Sequence, residues 1–320
     1  MIYTAVMTHP PHARRPMNAA DAARPVVAIG NFDGVHVGHR HILSVARTEA
    51  DARGTHLLAL TFEPHPAAFF RPNSPPFRLT TPQDKAELLR SAGADSVECL
   101  PFTKQLASTP ADAFVENILA ENLRAAHVVV GYDFAFGKNR EGERTILMRY
   151  AESGAFGVTI CEAFSLTEGE APASSGKIRD ALRKGDCDAA SRMLGRPMRY
   201  KGLVERGDGM AGKTLGFPTA NMCLDDYVRP RYGVYAARAE VGGEYFPAVV
   251  NIGVRPTVGG MREWLEAHLL PPFSEDVYGK TIAVELLRFM RDERRFPSLD
   301  ALRAAIARDV EDARRYAESM

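Results

Sequence analysis

The stretch Val26–Arg40, VVAIGNFDGVHVGHR, decides the reading of the first half of this 320-residue chain. Val26 to Ile29 is an apolar run of the kind that forms a buried strand. It ends at Gly30, passes through Asn31-Phe32-Asp33-Gly34 and meets His36-Val37-Gly38-His39. Ile42, Leu43, Val45, Ala46 and Ala50 then recur at helical spacing. The pattern is strand, glycine turn, helix. A helix N-terminus offers unpaired N–H groups and a positive dipole end, which suits phosphate. Gly30, Gly34 and Gly38 let the backbone turn tightly and approach a ligand. His36 and His39 are three apart and share a face of a helical turn. Two imidazoles beside a phosphate site can donate hydrogen bonds to charge growing on a transferring phosphoryl group. Such transfer rests on positioning and electrostatics more than on a covalent nucleophile. A histidine pair that only caps a helix is the plainer alternative. Zinc fits worse, because the nearest further ligands by type, His41 and Cys99, lack metal-site spacing.

GNFDGVHVGHR resembles the HxGH signature of the nucleotidylyltransferase superfamily. More narrowly, it is similar to the N-terminal adenylyltransferase half of the bacterial bifunctional riboflavin kinase/FMN adenylyltransferase (FAD synthetase) family. The resemblance implies catalytic roles for His36 and His39, and places Gly30, Phe32, Asp33 and Gly38 at the nucleotide phosphates.

The bulk properties are ordinary. Apolar content is 45% and charged content 25%, as in soluble globular proteins. Forty basic and forty acidic residues cancel, so charge gives no push toward nucleic acid or an acidic membrane. Cys99, Cys161, Cys187 and Cys223 are widely spaced, which suggests reduced thiols in the cytoplasm. Residues 1–24 lack the apolar core of a signal peptide and read as a mobile tail. No run approaches the ~20 apolar residues of a membrane span.

Thr55–Phe62 reads as a second strand, running into the stiff non-helical corner Glu63-Pro64-His65-Pro66. The family carries a similar motif at its flavin end, which implies flavin contacts for Phe62 and His65. Thr81–Ala92 is helical, with Thr81 as N-cap and Pro82 in the first turn. Val97–Leu100 is a third strand, and Ala111–Leu123 a helix with Phe114, Ile118 and Leu119 inward. A fourth strand, His127–Val130, leads into Gly131-Tyr132-Asp133-Phe134-Ala135-Phe136-Gly137. Open α/β sheets bind ligands at such strand ends. The segment resembles a family loop that would bring Asp133 near the nucleotide and Phe136 near the flavin. Phe134 and Phe136 packed beneath an ordinary turn is the plainer reading, and the two are compatible. Thr145–Glu152 is helical and Gly157–Glu162 a fifth strand.

Ser174-Ser175-Gly176-Lys177-Ile178-Arg179 follows. Ser175 is a natural N-cap, with a helix to Lys184 and Gly185 as its stop. Two hydroxyls, two cations and a helix N-terminus make a pyrophosphate clamp. The family's matching element implies leaving-phosphate contacts for Ser174, Ser175 and Arg179. Gly176 stands where the family often has Thr. Alternation of strands and helices to about residue 185 argues for a parallel, Rossmann-like sheet. Cys187–Leu194 is a hinge helix broken by Gly195-Arg196-Pro197.

From Tyr200 the texture changes to short alternating runs between glycine turns, the spacing of a small antiparallel β-barrel. Gly207–Thr214 matches the string G-x-x-x-x-G-K-T, but no strand precedes it and Leu215-Gly216-Phe217-Pro218 forbids a P-loop helix. Thr219 and Asn221 are two apart and face one side of an extended chain. They offer oxygens suited to Mg²⁺ carrying nucleotide phosphates. GDGMAGKTLGFPTAN instead resembles the riboflavin kinase fingerprint, which implies that Gly207, Gly212 and Lys213 meet ATP and that Thr219 and Asn221 hold the metal. Trp264-Leu265-Glu266-Ala267-His268-Leu269-Leu270 aligns Glu266 with that family's general base, with Glu263 as a lesser competitor. Pro271-Pro272 departs from the family pattern. Ser298 caps a last helix whose stripe is Leu299, Leu302, Ala305, Ile306 and Val310.

The fold expected is α/β plus β-barrel: a tail over 1–24, a Rossmann-like FMN adenylyltransferase domain over 25–190, and a riboflavin kinase barrel with a terminal helix over 191–320. The partners expected are riboflavin, ATP, FMN and FAD, with Mg²⁺, and neither nucleic acid nor membrane. An adenylyltransferase for another phosphate ester would not need the barrel. A non-catalytic flavin sensor would not need His36, His39, Thr219, Asn221 and Glu266 together.

Overall fold

The computed structural model describes residues 24–167, 169–205, 217–257, 260–270 and 276–318. Gly207, Gly212, Lys213 and Pro271-Pro272 lie outside the described residues, as does the tail up to residue 23. Contacts divide the chain into two compact units. The first holds the described residues up to Gly30, Ile42–Phe62 and Arg90–Glu162; the second holds Asn31–His41, Glu63–Leu89 and the described residues from Ala163 onward.

The first unit is built on β1 (Val26–Ile29), β2 (Leu57–Glu63), β3 (Ser96–Pro101), β4 (His127–Gly131) and β5 (Gly157–Cys161). Their order is β3-β2-β1-β4-β5, with β1 parallel to both β2 and β4, and β4 parallel to β5. Val26–Ile29 is buried along its whole length because it is the central strand, which is why it reads as a continuous apolar run. The order reverses between β1 and β4, the point at which such sheets bind ligands beyond their carboxyl ends. β1 ends at Ile29, directly before the glycine turn.

The segment 111–123 departs from the expected α-helix. A single α-turn, Ala111–Ala113, passes into a π-helix, Phe114–Asn122. The wider turn buries Phe114, Val115 and Leu119, while Ile118 is only partly covered. A 3.6-residue period misses this, because a π-turn inserts an extra residue.

The second unit contains β6 (Met198–Leu203), β7 (Ala220–Cys223), β8 (Gly233–Val241), β9 (Glu244–Thr257), β10 (Gly260–Leu269) and β11 (Thr281–Arg291). They form one six-stranded sheet in the order β6-β11-β8-β9-β10-β7. The pairings β6-β11, β11-β8, β8-β9, β9-β10 and β10-β7 are all antiparallel. A bridge between Glu205, just beyond β6, and Asn221 of β7 joins the two edges, with the Glu205 N–H donating to the Asn221 carbonyl at 2.8 Å. Closing the sheet removes its free edges. Tyr200, Tyr235, Leu265 and Val284 are in its core, and Leu79 belongs to the same cluster.

Two helices precede the barrel, Ser175–Lys184 and Cys187–Leu194, each ending in a left-handed glycine, Gly185 at φ 78° and Gly195 at φ 69°. The last helix, Leu299–Glu318, is capped by Ser298, whose hydroxyl accepts the Ala301 N–H at 3.2 Å. Ala305 and Ala313 are buried apolar positions of this helix, whereas Leu299 is 56% exposed and does not join the stripe. Asp309 lies on the covered face and pairs with Arg291 at 2.7 Å.

Candidate active sites

The turn after β1 is held through Asp33 and Gly34. The Asp33 carboxylate accepts the Leu79 N–H at 2.9 Å and the Thr80 N–H at 3.3 Å, and pairs with Arg179 at 2.5 Å. Ser175 donates its hydroxyl to the Asp33 carbonyl at 2.9 Å. The Gly34 N–H donates to Thr80 Oγ1 at 3.2 Å, and its carbonyl accepts from Arg196 at 2.8 Å. Phe32 and Val35, both fully buried, have φ of 51° and 41°. For a β-branched residue that conformation costs on the order of 1–3 kcal/mol, so it persists because the surroundings over-determine it. Gly34 has φ 86°, and a Cβ there would come within 2.9 Å of Leu79.

This turn delivers His36 to the N-terminus of the helix Val37–Arg53. Its Nδ1 faces the His39 N–H at 3.4 Å, and its carbonyl accepts the Arg40 N–H at 3.0 Å. The two imidazoles stack with centroids 3.6 Å apart and planes 19° from parallel. Burial lowers the His36 pKa to about 4, against the opposing pull of Asp33. Burial, then His36 itself, holds His39 well below the ordinary histidine value. Both rings are therefore neutral N–H donors at pH 7. His39 Nδ1 is buried without a partner in the described structure. Gly38 leaves room for the stack: a Cβ would sit 3.1 Å from His36 Cε1, so the ring would have to give by a few tenths of an ångström.

The serine–arginine element is more engaged than its sequence suggests. Ser174, not Ser175, is the N-cap, its hydroxyl accepting the Lys177 N–H at 3.2 Å. Ser175 is one residue inside the helix and ties the Asp33 turn instead. Lys177 donates to the Pro172 carbonyl at 2.8 Å. Arg179 donates to the Phe77 carbonyl at 2.6 Å and lies over the Phe77 ring. Two adjacent serines both fit a cap, and only the fold of the preceding chain decides between them.

Sequence reasoning missed the group behind this turn. Glu63 pairs with Arg78 at 2.7 Å and with Lys85 at 2.9 Å, and Lys85 is 3% exposed. The signal was Lys85 lying four residues before the buried Leu89, on the covered face of the helix Pro82–Ser91. Arg78, Thr80 and Lys85 all belong to a segment that carried no motif. His65 caps the short helix Pro66–Phe70, so the expected corner is also a helix start. Its ring meets Phe77 edge-on, and burial lowers its pKa to about 4.

The aromatic candidates of the first unit form a cluster of their own. Phe136 stacks on Phe134 at 5.5 Å and lies 5.4 Å from Phe114, which is 6.5 Å from Phe62. Phe62 and Phe136 are both buried. The Gly30 N–H continues the ladder to the Leu60 carbonyl at 3.1 Å. Asp133 is exposed beyond the end of β4.

In the barrel, Glu266 of β10 is flanked by Asn221 of β7 on one side and Asn251 of β9 on the other. Its carboxylate pairs with Arg255 at 3.2 Å. Glu263 is occupied differently, by Arg229 at 2.6 Å and by the Tyr232 hydroxyl. Asn221 is buried and its Oδ1 has no hydrogen-bond partner in the described structure. Thr219, two residues earlier, is partly covered. An orphaned buried oxygen beside a carboxylate and a threonine is a donor set that fits a hard cation.

An α/β sheet with a two-histidine turn, followed by a closed antiparallel sheet, defines a two-part nucleotide-using architecture. A family model for FAD synthetase matches residues 18–175, and one for riboflavin kinase matches residues 194–317. The bifunctional riboflavin kinase/FMN adenylyltransferase of Escherichia coli strain K12 is 40% identical, covering 91% of this chain and 92% of that protein. The Bacillus subtilis strain 168 protein of the same description is 36% identical, covering 98% of each. The chain belongs to the bifunctional riboflavin kinase/FMN adenylyltransferase family. A crystal structure described as a macrolide-efflux protein from Streptococcus pneumoniae aligns at TM-score 0.80 and 28% identity, over 91% of this chain and 94% of that one. Efflux is a description of that protein; among the described residues here no helix is long and apolar enough to cross a membrane.

Proposed function

We propose that this chain phosphorylates riboflavin to FMN and adenylylates FMN to FAD, with residues 191–320 carrying the first reaction and residues 25–190 the second. The observation that carries the reading is the neutral stacked pair His36–His39 at a helix N-terminus, in a chain matched by both family models. A cytoplasmic setting accords with its use of ATP.

In adenylyl transfer, an FMN phosphate oxygen attacks the α-phosphorus of ATP, the bond to the β-phosphate breaks, and pyrophosphate leaves. Neutral imidazoles donate to the α-phosphate oxygens as charge develops. They give up no proton, so a low pKa suits them. The turn Gly30–Gly38 and the first-turn N–H groups at Ser174–Ser175 meet phosphate, while Asp33 and Arg179 hold that backbone in place. Phe62, His65 and Phe136 are assigned to the flavin and Asp133 to the nucleotide, with Phe62 and Phe136 acting from within the buried aromatic cluster.

In the kinase half, Glu266 takes the proton of the ribityl 5′-hydroxyl as its oxygen attacks the γ-phosphorus, and ADP leaves. Thr219 and Asn221 are the groups that would hold Mg²⁺, with Gly207, Gly212 and Lys213 near ATP. When bound, Mg²⁺ neutralises phosphate charge. The test is to incubate the chain with riboflavin, ATP and Mg²⁺ and separate the flavins over time. FMN rising first and FAD following supports the reading; tight flavin binding without conversion refutes it.

A further inference from the structure

We propose that Arg196, a residue within the riboflavin kinase match, is a positioning residue for adenylyl transfer, holding the Gly34 carbonyl and with it the turn that presents His36. The inference rests on the functional reading above and deepens it.

The geometry is specific. Arg196 follows Gly195, the left-handed cap of the helix Cys187–Leu194. A Cβ at Gly195 would meet Arg40 Nη1 at 3.0 Å and Val37 Cγ1 at 3.2 Å, so the cap sits closely against the start of the histidine helix. From there the Arg196 guanidinium donates to the Gly34 carbonyl at 2.8 Å and to the Leu194 carbonyl at 3.3 Å. Among the described residues no carboxylate is recorded in an ion pair with it. A half-buried guanidinium bound to carbonyls alone is costly to desolvate, and burial draws its pKa down to about 10. Glu285 and Asp84 pull the other way, and the two carbonyl bonds fix where the guanidinium sits.

Its target points to its role. Gly34 sits between Asp33 and the buried, left-handed Val35, immediately before His36. Thr80 holds the Gly34 N–H and Arg196 holds the Gly34 carbonyl, so both polar atoms of that residue are fixed from outside the turn. The Arg196 bond reaches this turn from within the kinase match, alongside bonds from Leu79, Thr80, Lys85, Ser175 and Arg179. Releasing the carbonyl frees the peptide that aims His36. A misplacement of about 1 Å at a reacting centre costs on the order of 10²-fold in rate.

The experiment compares Arg196→Met and Arg196→Lys with the wild-type full chain, measuring kcat and KM for FAD formation from FMN and ATP, and riboflavin phosphorylation in the same preparations. The proposal expects Met to lower kcat for FAD formation by about 10²-fold, with KM values within about twofold. Lys, which retains a cationic donor, should recover part of that loss, and riboflavin phosphorylation should be unchanged in both. Equal loss of both reactions with a lowered melting temperature would make Arg196 merely structural and overturn the proposal. Unchanged FAD formation, or Lys no better than Met, would overturn it as well. Wild-type chain that forms no FAD would instead sink the functional reading, and the inference with it.

Discussion

The imidazoles of His36 and His39 lie 3.6 Å apart and nearly parallel, so a proton on one repels a proton on the other. Burial already favours the neutral forms, lowering His36 from 6.5 to about 4. A histidine whose folded pKa is depressed binds fewer protons folded than unfolded across that window. Its contribution to stability is complete above about pH 6.5 and is lost as pH falls through about 4. The melting temperature should therefore drop between pH 6.5 and pH 4. In the double variant His36→Asn/His39→Asn that acid slope should shrink, with His65 and His127, also lowered by burial, carrying the rest. A slope identical to wild type would mean that the pair is not held neutral.

Gly38→Ala separates packing from stability. A Cβ would stand 3.1 Å from His36 Cε1 and 3.2 Å from its Nδ1, so the ring must shift. Elsewhere in a helix, alanine in place of glycine stabilises by about 0.5–1 kcal/mol. FAD formation should fall about tenfold or more, while riboflavin phosphorylation and the melting temperature hold. Full activity in both reactions would contradict the tight fit.

Asn221→Leu tests the orphaned oxygen. Replacing a buried acceptor that lacks a partner removes no hydrogen bond, so the melting temperature should stay level or rise. If that oxygen serves Mg²⁺ and ATP, riboflavin phosphorylation should fall by about tenfold or more while FMN is still converted to FAD. A destabilised protein with both activities reduced would make Asn221 a structural residue.

Much of this was legible in the chain. The fully apolar VVAI signalled a central parallel strand, and Gly185 and Gly195 ended their helices where left-handed caps were needed. Other features depend on partners distant in sequence. Asp33 reads as a ligand-facing carboxylate until Leu79, Thr80 and Arg179 are seen to occupy it. Lys85 carries no motif, and its place is set by Glu63, 22 residues earlier. The π-helix at Phe114–Asn122 carries no local period that distinguishes it from an α-helix. Leu299 completes an apolar stripe on paper, but it is the first residue of its helix and stays exposed.

Gly176 bears on the departure from the family's threonine. A Cβ there meets nothing closer than Ser174 Oγ at 3.8 Å, and no left-handed φ is required. Gly176→Ala should raise stability by about 0.5 kcal/mol, a melting shift of about 1–3 °C, through the unfolded chain's lost freedom. Both reactions should persist. A fall in FAD formation would show that the open space is needed by substrate.

The division into two independent sites is tested most directly by complementation. His36→Asn and Glu266→Gln chains are each given riboflavin, ATP and Mg²⁺, then mixed, and the flavins are separated by chromatography. The first alone should stop at FMN, and the second alone should leave riboflavin unchanged yet convert added FMN. The mixture should make FAD from riboflavin. Either single variant losing both reactions, or a mixture that makes no FAD, would contradict the assignment of one reaction to each half.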